Sequence, residues 1–228
     1  MKKYAIIVAG GTGLRMGTAT PKQFLQLAGK PVLYHTVQAF IQALPGVQII
    51  LVLPEAHLQV GNEMLQTLNV DGQIFITAGG NTRFESVQKG LEWVKEESIV
   101  LVHDGVRCMV SADLINRCYK QAVEKGSAIP AVKATDTIRI VEDGRHHLVD
   151  RNVVHIIQTP QTFQSALLLA AFKQPYQESF TDEASVIEAM GKEVFLIEGE
   201  YDNLKITRPI DLLVAEKLLQ ERLSLQQP

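Results

Sequence analysis

The run Tyr4-Ala5-Ile6-Ile7-Val8 opens directly into Ala9-Gly10-Gly11-Thr12-Gly13-Leu14-Arg15-Met16-Gly17, and Pro21-Lys22-Gln23-Phe24 follows shortly after. A short apolar run bounded by glycines reads as a buried strand with a loop at its carboxyl end. Glycines let backbone N–H groups approach an anion, because no Cβ stands in the way. Arg15 and Lys22 add two positive charges to the same loop. Bare amides with two cations suit a polyphosphate; the bland alternative is a glycine-rich turn with solvated cations. The two commoner phosphate loops do not fit. In the dinucleotide fingerprint the third glycine falls one position earlier than Gly17, and a P-loop closes on Gly-Lys-Ser/Thr, whereas Lys22 stands between Pro21 and Gln23.

Beyond this loop, helical and strand patterns alternate. Pro31 to Leu44 carries Val32, Leu33, Val37 and Phe40 at helical spacing, and Gln48 to Leu53 reads as a second buried strand stopped by Pro54. A helix over about His57 to Leu68 and a short strand at Ile74-Phe75-Ile76 continue the pattern. The expectation is an α/β fold with a doubly wound, mostly parallel sheet. Ligands of such sheets bind beyond the carboxyl ends of the strands.

Two further strand ends fall there. Gly79-Gly80-Asn81-Thr82 opens a helix over Arg83 to Val94; as local structure alone it is a turn capped by Asn81 or Thr82. Ser98 to Val102 is the next strand, ending in His103-Asp104-Gly105-Val106-Arg107. An acid at the end of a central strand can hold Mg²⁺ against substrate phosphates. Asp104 could also cap a helix or pair with Arg107, and His103 could serve only to orient Asp104.

The alternation then changes. Thr137 to Val141 and His147 to Val149 flank Glu142-Asp143-Gly144-Arg145, a hairpin signal built on an Asp-Gly turn. Its apolar residues have no obvious helix to cover them, so this arm, at about 135–157, is expected to pack on a second copy of the chain as a homodimer. Arg151 could equally make a surface salt bridge with Asp150. Ile156 to Phe163 returns to the main sheet, a helix follows over Ser165 to Phe172, and Thr181-Asp182-Glu183 reads as the capped start of another. Capping suffices to explain that acid pair. After a last strand at Val194 to Ile197, Lys205 sits between Leu204 and Ile206, where a lysine needs an anionic partner. Pro209 to Leu223 closes the chain as an amphipathic helix with Leu212, Ala215, Leu219 and Leu223 on one stripe.

Composition sets the bounds. The 228 residues are 46% hydrophobic and 21% charged, the balance of one ordinary globular α/β domain over 1–228 with the arm as its appendage. A formal net charge of −3 argues against a general nucleic-acid binder. No run is long enough for a membrane span and no signal-peptide pattern precedes the first strand, so a cytoplasmic location is expected. Cys108 and Cys118 form neither a disulfide framework nor a metal-ligand spacing and read as reduced thiols.

A-G-G-x-G-x-R-M-G followed by P-K-Q-F resembles the signature of Rossmann-like nucleotidyltransferases that join a nucleoside triphosphate to a phosphorylated small molecule. With G-G-x-x-R-x-x-S, H-D-x-x-R, T-D-E-A-S and N-x-K-x-T-R-P, the chain from Ala5 to about Ala215 is similar to the 2-C-methyl-D-erythritol 4-phosphate cytidylyltransferase family. The resemblance implies CTP and a small phosphorylated polyol as substrates and Mg²⁺ at Asp104. It implies nucleotide binding by Ala9, Gly10, Gly11 and Gly13, with Gly80, Asn81 and Ser86 at the cytosine base; many relatives carry Asp where Asn81 stands. Catalysis would fall to Arg15, Lys22, Asp104 and Lys205. Asp104, Arg107, Thr137, Arg151 and Lys205 would place the second substrate, Thr137 and Arg151 reaching the partner's site. A single-domain enzyme is expected rather than the fused two-enzyme form. T-D-E-A-S favours the methylerythritol substrate; ribitol 5-phosphate, or nucleotide binding without turnover, are the alternatives.

Overall fold

The computed structural model describes residues 1–10, 20–68 and 74–224. Strand β1 (Lys2–Val8) leads to a small ribbon, β2 (Gln26–Leu27) with β3 (Lys30–Pro31), and then to α1 (Val32–Ala43). There follow β4 (Gln48–Leu53), α2 (Leu58–Gln66), β5 (Ile74–Ala78), α3 (Arg83–Leu91), β6 (Ser98–Asp104), α4 (Ala112–Lys125) and β7 (Ser127–Lys133). The hairpin strands are β8 (Ile138–Glu142) and β9 (Arg145–Val149). The chain ends through β10 (His155–Ile157), β11 (Gln161–Gln164), α5 (Ser165–Ala171), α6 (Glu183–Glu188), β12 (Leu196–Glu198) and α7 (Pro209–Ser224).

The main sheet runs β5-β4-β1-β6-β11-β7-β10, with β12 also on β7. Strands β5, β4, β1 and β6 are mutually parallel, as the alternation of strands and helices requires. Strand β11 enters antiparallel between β6 and β7, so the sheet is parallel on one side and mixed on the other. The period of two in the apolar strands splits the core into two layers. Ala5, Ile7, Ile49, Leu51, Ile99 and Leu101 pack against α1 and α4. Tyr4, Ile6, Ile50, Val52, Val100 and Val102 face α3 and α5 instead. Both faces are thus covered, and burying an Ile or Leu of this kind is worth about 1.5–3 kcal/mol.

Close packing brings the helices onto the sheet at chosen points. A Cβ on Gly90 would come within 2.6 Å of Ile6, so only glycine lets α3 lie this near β1. Helix α7 packs through Leu212, Ala215, Leu218 and Leu219 onto a third cluster with Leu27, Val32 and Ile206. The expected stripe is correct for three of its members, but Leu223 is exposed, since the helix has passed the edge of that cluster before it ends. Among the described residues no helix is long and apolar enough to cross a membrane. Cys108 and Cys118 are free and buried.

The hairpin forms as its turn chemistry dictates. Asp143 and Gly144 both have positive φ (48° and 75°), the conformation that two-residue hairpin turns need, and β8 and β9 make a two-stranded sheet of their own. Their outward residues, including Val141 and Leu148, are exposed.

Candidate active site

The carboxyl ends of β1, β5 and β6 converge on a cavity of about 340 Å³. Ala9 and Gly10 form one edge as β1 ends, and the 3₁₀ turn Lys22–Phe24 forms the next. Gln23, buried, donates to the Ala9 carbonyl (2.9 Å) and fixes this turn against the strand end. Lys22 donates to the Ile206 carbonyl (3.1 Å), which ties the turn to the segment carrying Lys205.

The facing wall is Gly80, Asn81, Thr82 and Ser86. Thr82 is the N-cap of α3, and Glu85 completes a capping box, accepting from the Asn81 and Thr82 N–H groups at 2.6 and 3.2 Å. Ser86 Oγ accepts from the Gly80 N–H (3.2 Å) and donates to the Thr82 carbonyl (2.9 Å). A Cβ on Gly79 would lie 2.8 Å from that hydroxyl, so the tight approach needs glycine there.

Asp104 closes the floor at 7% exposure, and it is the one carboxylate lining the cavity among the described residues. Three cations surround it. Lys205 Nζ is 3.0 Å from Oδ2, Arg107 Nε 3.1 Å from the same oxygen, and Arg83 Nη2 3.4 Å from Oδ1. Burial alone would raise the Asp104 pKa, but Arg83, Lys205 and Arg107 together hold it well below the usual carboxylate range. Arg83 also pairs with Glu183. Burial works against its charge, yet Glu183 and Asp104 hold its pKa above the ordinary arginine value. The result is a fixed cluster with positive charge in excess, a setting for phosphate oxygens.

A buried chain of hydrogen bonds sets the backbone beneath. His103 Nε2 donates to the Arg107 carbonyl (3.1 Å), so Nδ1 accepts from the Thr159 hydroxyl (2.9 Å), whose oxygen in turn accepts from the Asp104 N–H (3.1 Å). Burial lowers the His103 pKa to about 4, so the ring is neutral at pH 7 and keeps this tautomer. His103 therefore orients the backbone at Asp104 and does not line the cavity.

Of the residues expected from sequence, Ala9, Gly10, Lys22, Gly80, Asn81, Ser86, Asp104 and Lys205 line this one cavity. Arg107 reaches it through Asp104 and also donates to the Asn203 carbonyl (2.8 Å). Gly11, Gly13 and Arg15 lie outside the described residues. Thr137 and Arg151 are exposed at the hairpin base, where Arg151 donates to the Thr135 carbonyl (2.8 Å), and neither lines the cavity. Lys205 has the anionic partner expected, but its ammonium is exposed to the cavity and not buried.

Two members were missed. In sequence Arg83 falls in G-G-x-x-R-x-x-S at the start of a helix and Glu183 in T-D-E-A-S beside a cap, but neither is given a role in the site. In the structure Asp182 does the capping, with Ser185 reciprocating, while Glu183 turns inward to Arg83. Their separation of 100 positions left no local signal.

Among the described residues no three His, Cys, Asp or Glu side chains gather into a metal cage. Among these residues Asp104 is the one carboxylate in the cavity that could hold a divalent ion, and it would do so in competition with Lys205 and Arg107 at Oδ2 and Arg83 at Oδ1. Among the described residues, a larger cavity of about 740 Å³ beside β7 and β12 is lined by no group that meets Asp104.

Residues 4–221 match the family model described as 2-C-methyl-D-erythritol 4-phosphate cytidylyltransferase. A protein of that name from Phocaeicola vulgatus is 45% identical over 96% of this chain and 100% of its own length. One from Porphyromonas gingivalis is 46% identical over 96% of this chain and 98% of its own. The crystal structure of 4-diphosphocytidyl-2C-methyl-D-erythritol synthase from Anaerococcus prevotii superposes with a TM-score of 0.82 at 30% identity, covering 96% of each chain.

Proposed function

The chain belongs to the 2-C-methyl-D-erythritol 4-phosphate cytidylyltransferase family, and from that premise we propose that it carries out the transfer its relatives are named for. A phosphate oxygen of 2-C-methyl-D-erythritol 4-phosphate attacks the α-phosphorus of CTP in line. The bond to the bridging oxygen breaks, and pyrophosphate leaves with its electron pair. The product is 4-diphosphocytidyl-2-C-methyl-D-erythritol, an isoprenoid precursor.

The observation that carries this reading is the cationic cluster around Asp104, facing a glycine-rich wall across one cavity. The attacking group is already an anion, so the reaction needs no strong general base. Its difficulty is the approach of two anions, and catalysis is positioning with charge neutralisation. Lys22 stabilises the charge that grows on the α-phosphoryl oxygens and the departing pyrophosphate, with Arg15 assigned the same role from the resemblance. Lys205 and Arg107 hold the acceptor's phosphate beside Asp104. Gly80, Asn81 and Ser86 receive the base. Asp104 is the residue that would hold Mg²⁺, which when bound polarises phosphoryl oxygens and screens their charge. Thr137 and Arg151, exposed on the hairpin, serve the site of a second subunit in a homodimer.

The deciding experiment is pyrophosphate release from CTP with Mg²⁺, run separately with 2-C-methyl-D-erythritol 4-phosphate and with ribitol 5-phosphate. Faster turnover with the methylerythritol substrate is expected. Preference for ribitol 5-phosphate would keep the chemistry and overturn the substrate. Binding of CTP without release in either reaction would leave a nucleotide-binding protein.

A further inference from the structure

Glu183 is the first residue of α6, yet it takes no part in the cap, which Asp182 and Ser185 complete between them. It is 1% exposed. One of its oxygens takes Arg83, and the other, Oε2, has no hydrogen-bond partner among the described residues. Burial pushes its carboxyl upward in pKa against the opposing pull of Arg83. A buried carboxylate with an unpaired oxygen is costly. Replacing both Glu183 and Arg83 by apolar side chains of similar volume is commonly neutral for stability or better, so packing alone does not explain the ion pair.

Its explanation is where it puts Arg83. The guanidinium turns Nη1 to Glu183 and Nη2 to Asp104 Oδ1, and Arg83 directly follows Thr82 in the wall of the cavity. Three distant segments thereby meet on one planar group: the nucleotide wall at the start of α3, the end of β6, and the start of α6. We propose that Glu183 is a positioning residue for the transfer reaction, holding Arg83 across the gap between the nucleotide wall and Asp104 so that the carboxylate is presented to the phosphates in one orientation. Glu183 also offsets the Arg83 charge that would otherwise face the triphosphate. This role rests on the cytidylyl-transfer reading given above.

The test is a double-mutant cycle on E183Q, R83Q and E183Q/R83Q, with kcat, KM for CTP and a thermal melt for each. A misplaced reacting group costs up to about a hundredfold, so E183Q should lower kcat roughly ten- to hundredfold. Its KM for CTP should not rise, because the released guanidinium adds positive charge to the cavity. If Glu183 acts only through Arg83, the double variant has the kcat of R83Q. It should also melt no lower than E183Q, since neither partner is left as an unpaired buried charge.

Wild-type kcat in a folded E183Q, a KM that rises as kcat falls, or losses that multiply in the double variant would each overturn the proposal. Should E183Q alone not fold, the double variant is read directly against R83Q, with equal kcat expected and any further loss contradicting it. Wild-type turnover separates the two readings. If the wild-type enzyme releases no pyrophosphate, the reaction reading has failed, and the same cycle is then read in CTP affinity by calorimetry.

Discussion

At the carboxyl ends of β1, β5 and β6, one carboxylate is shared by three cations and the backbone beneath it is locked by a neutral histidine. The β8–β9 hairpin, which follows the carboxyl end of β7, forms a two-stranded sheet of its own and does not join the main sheet. It leaves Val141 at 68% exposure, Leu148 at 62% and nearby Val153 at 73%. The first region is organised within a single chain; the second offers apolar surface and the polar residues Thr137 and Arg151 with no cavity of their own. The difference teaches that the charge-handling groups are held in place by the sheet, whereas among the described residues Thr137 and Arg151 do not line that cavity.

The contrast breaks most sharply at Lys22. K22A should lose about a hundredfold to a thousandfold in turnover, as expected for one preorganised electrostatic donor. Steady-state kinetics at saturating substrates check this, and near-wild-type turnover would remove Lys22 from the mechanism.

R151A should act differently, raising KM for the phosphorylated acceptor roughly tenfold with little change for CTP. At acceptor concentrations well below KM, a mixture of K22A and R151A subunits should then be more active than either parent alone, because one site in each mixed dimer holds both intact residues. A mixture no more active than its parents, or a monomer in sedimentation at micromolar concentration, would end the shared-site assignment.

Acid stability separates the buried groups of the site from the exposed hairpin. The folded pKa of His103 lies near 4, below the unfolded value of about 6.5. The unfolded chain therefore takes up the proton first, and stability is full above about pH 6.5 and declines as pH falls toward 4. Asp104 is also depressed, so its contribution is full above the unfolded value of about 3.9 and is lost below it. Melting temperature against pH should fall in these two successive windows, and H103Q should shrink the upper one, leaving the part that His35, also lowered by burial, contributes. D104N should lower stability by about 3 kcal/mol at pH 7, since it leaves the surrounding cations without their counter-charge.

The smallest effect belongs to the hairpin turn. Gly144→Ala strains a left-handed residue by about 1 kcal/mol, and because the hairpin stands apart from the sheet, the global melt should hardly move. Hydrogen exchange should instead quicken in β8 and β9 alone. A large global destabilisation would show that the hairpin is part of the core after all.

What could be read from sequence follows the same divide. Strands β1, β4 and β6, the glycine wall, Asp104 and the Asp-Gly hairpin all carry signals within a few residues, in apolar period, turn chemistry or capping. Helix α4 and strand β7 went unassigned, although Ser111 caps the helix and Gly126 ends it in the left-handed conformation. Residues that act across the fold left no such trace. Arg83 finds Glu183 100 positions away, and Thr159 reaches His103 across 56, because the sheet order places β11 beside β6. Lys205 announced its need for a partner but not which acid would answer it.

The capping box of α3 has a consequence for base choice. The amides of Gly80, Asn81 and Thr82 already donate to Ser86 and Glu85, so the main chain of this wall has acceptors to offer and no donors. Cytosine carries an exocyclic amine at the ring position where uracil carries an oxygen. If this wall receives the base as proposed, its main-chain carbonyls would accept from the amine and meet the oxygen with lone pair against lone pair, so CTP should be bound in preference to UTP.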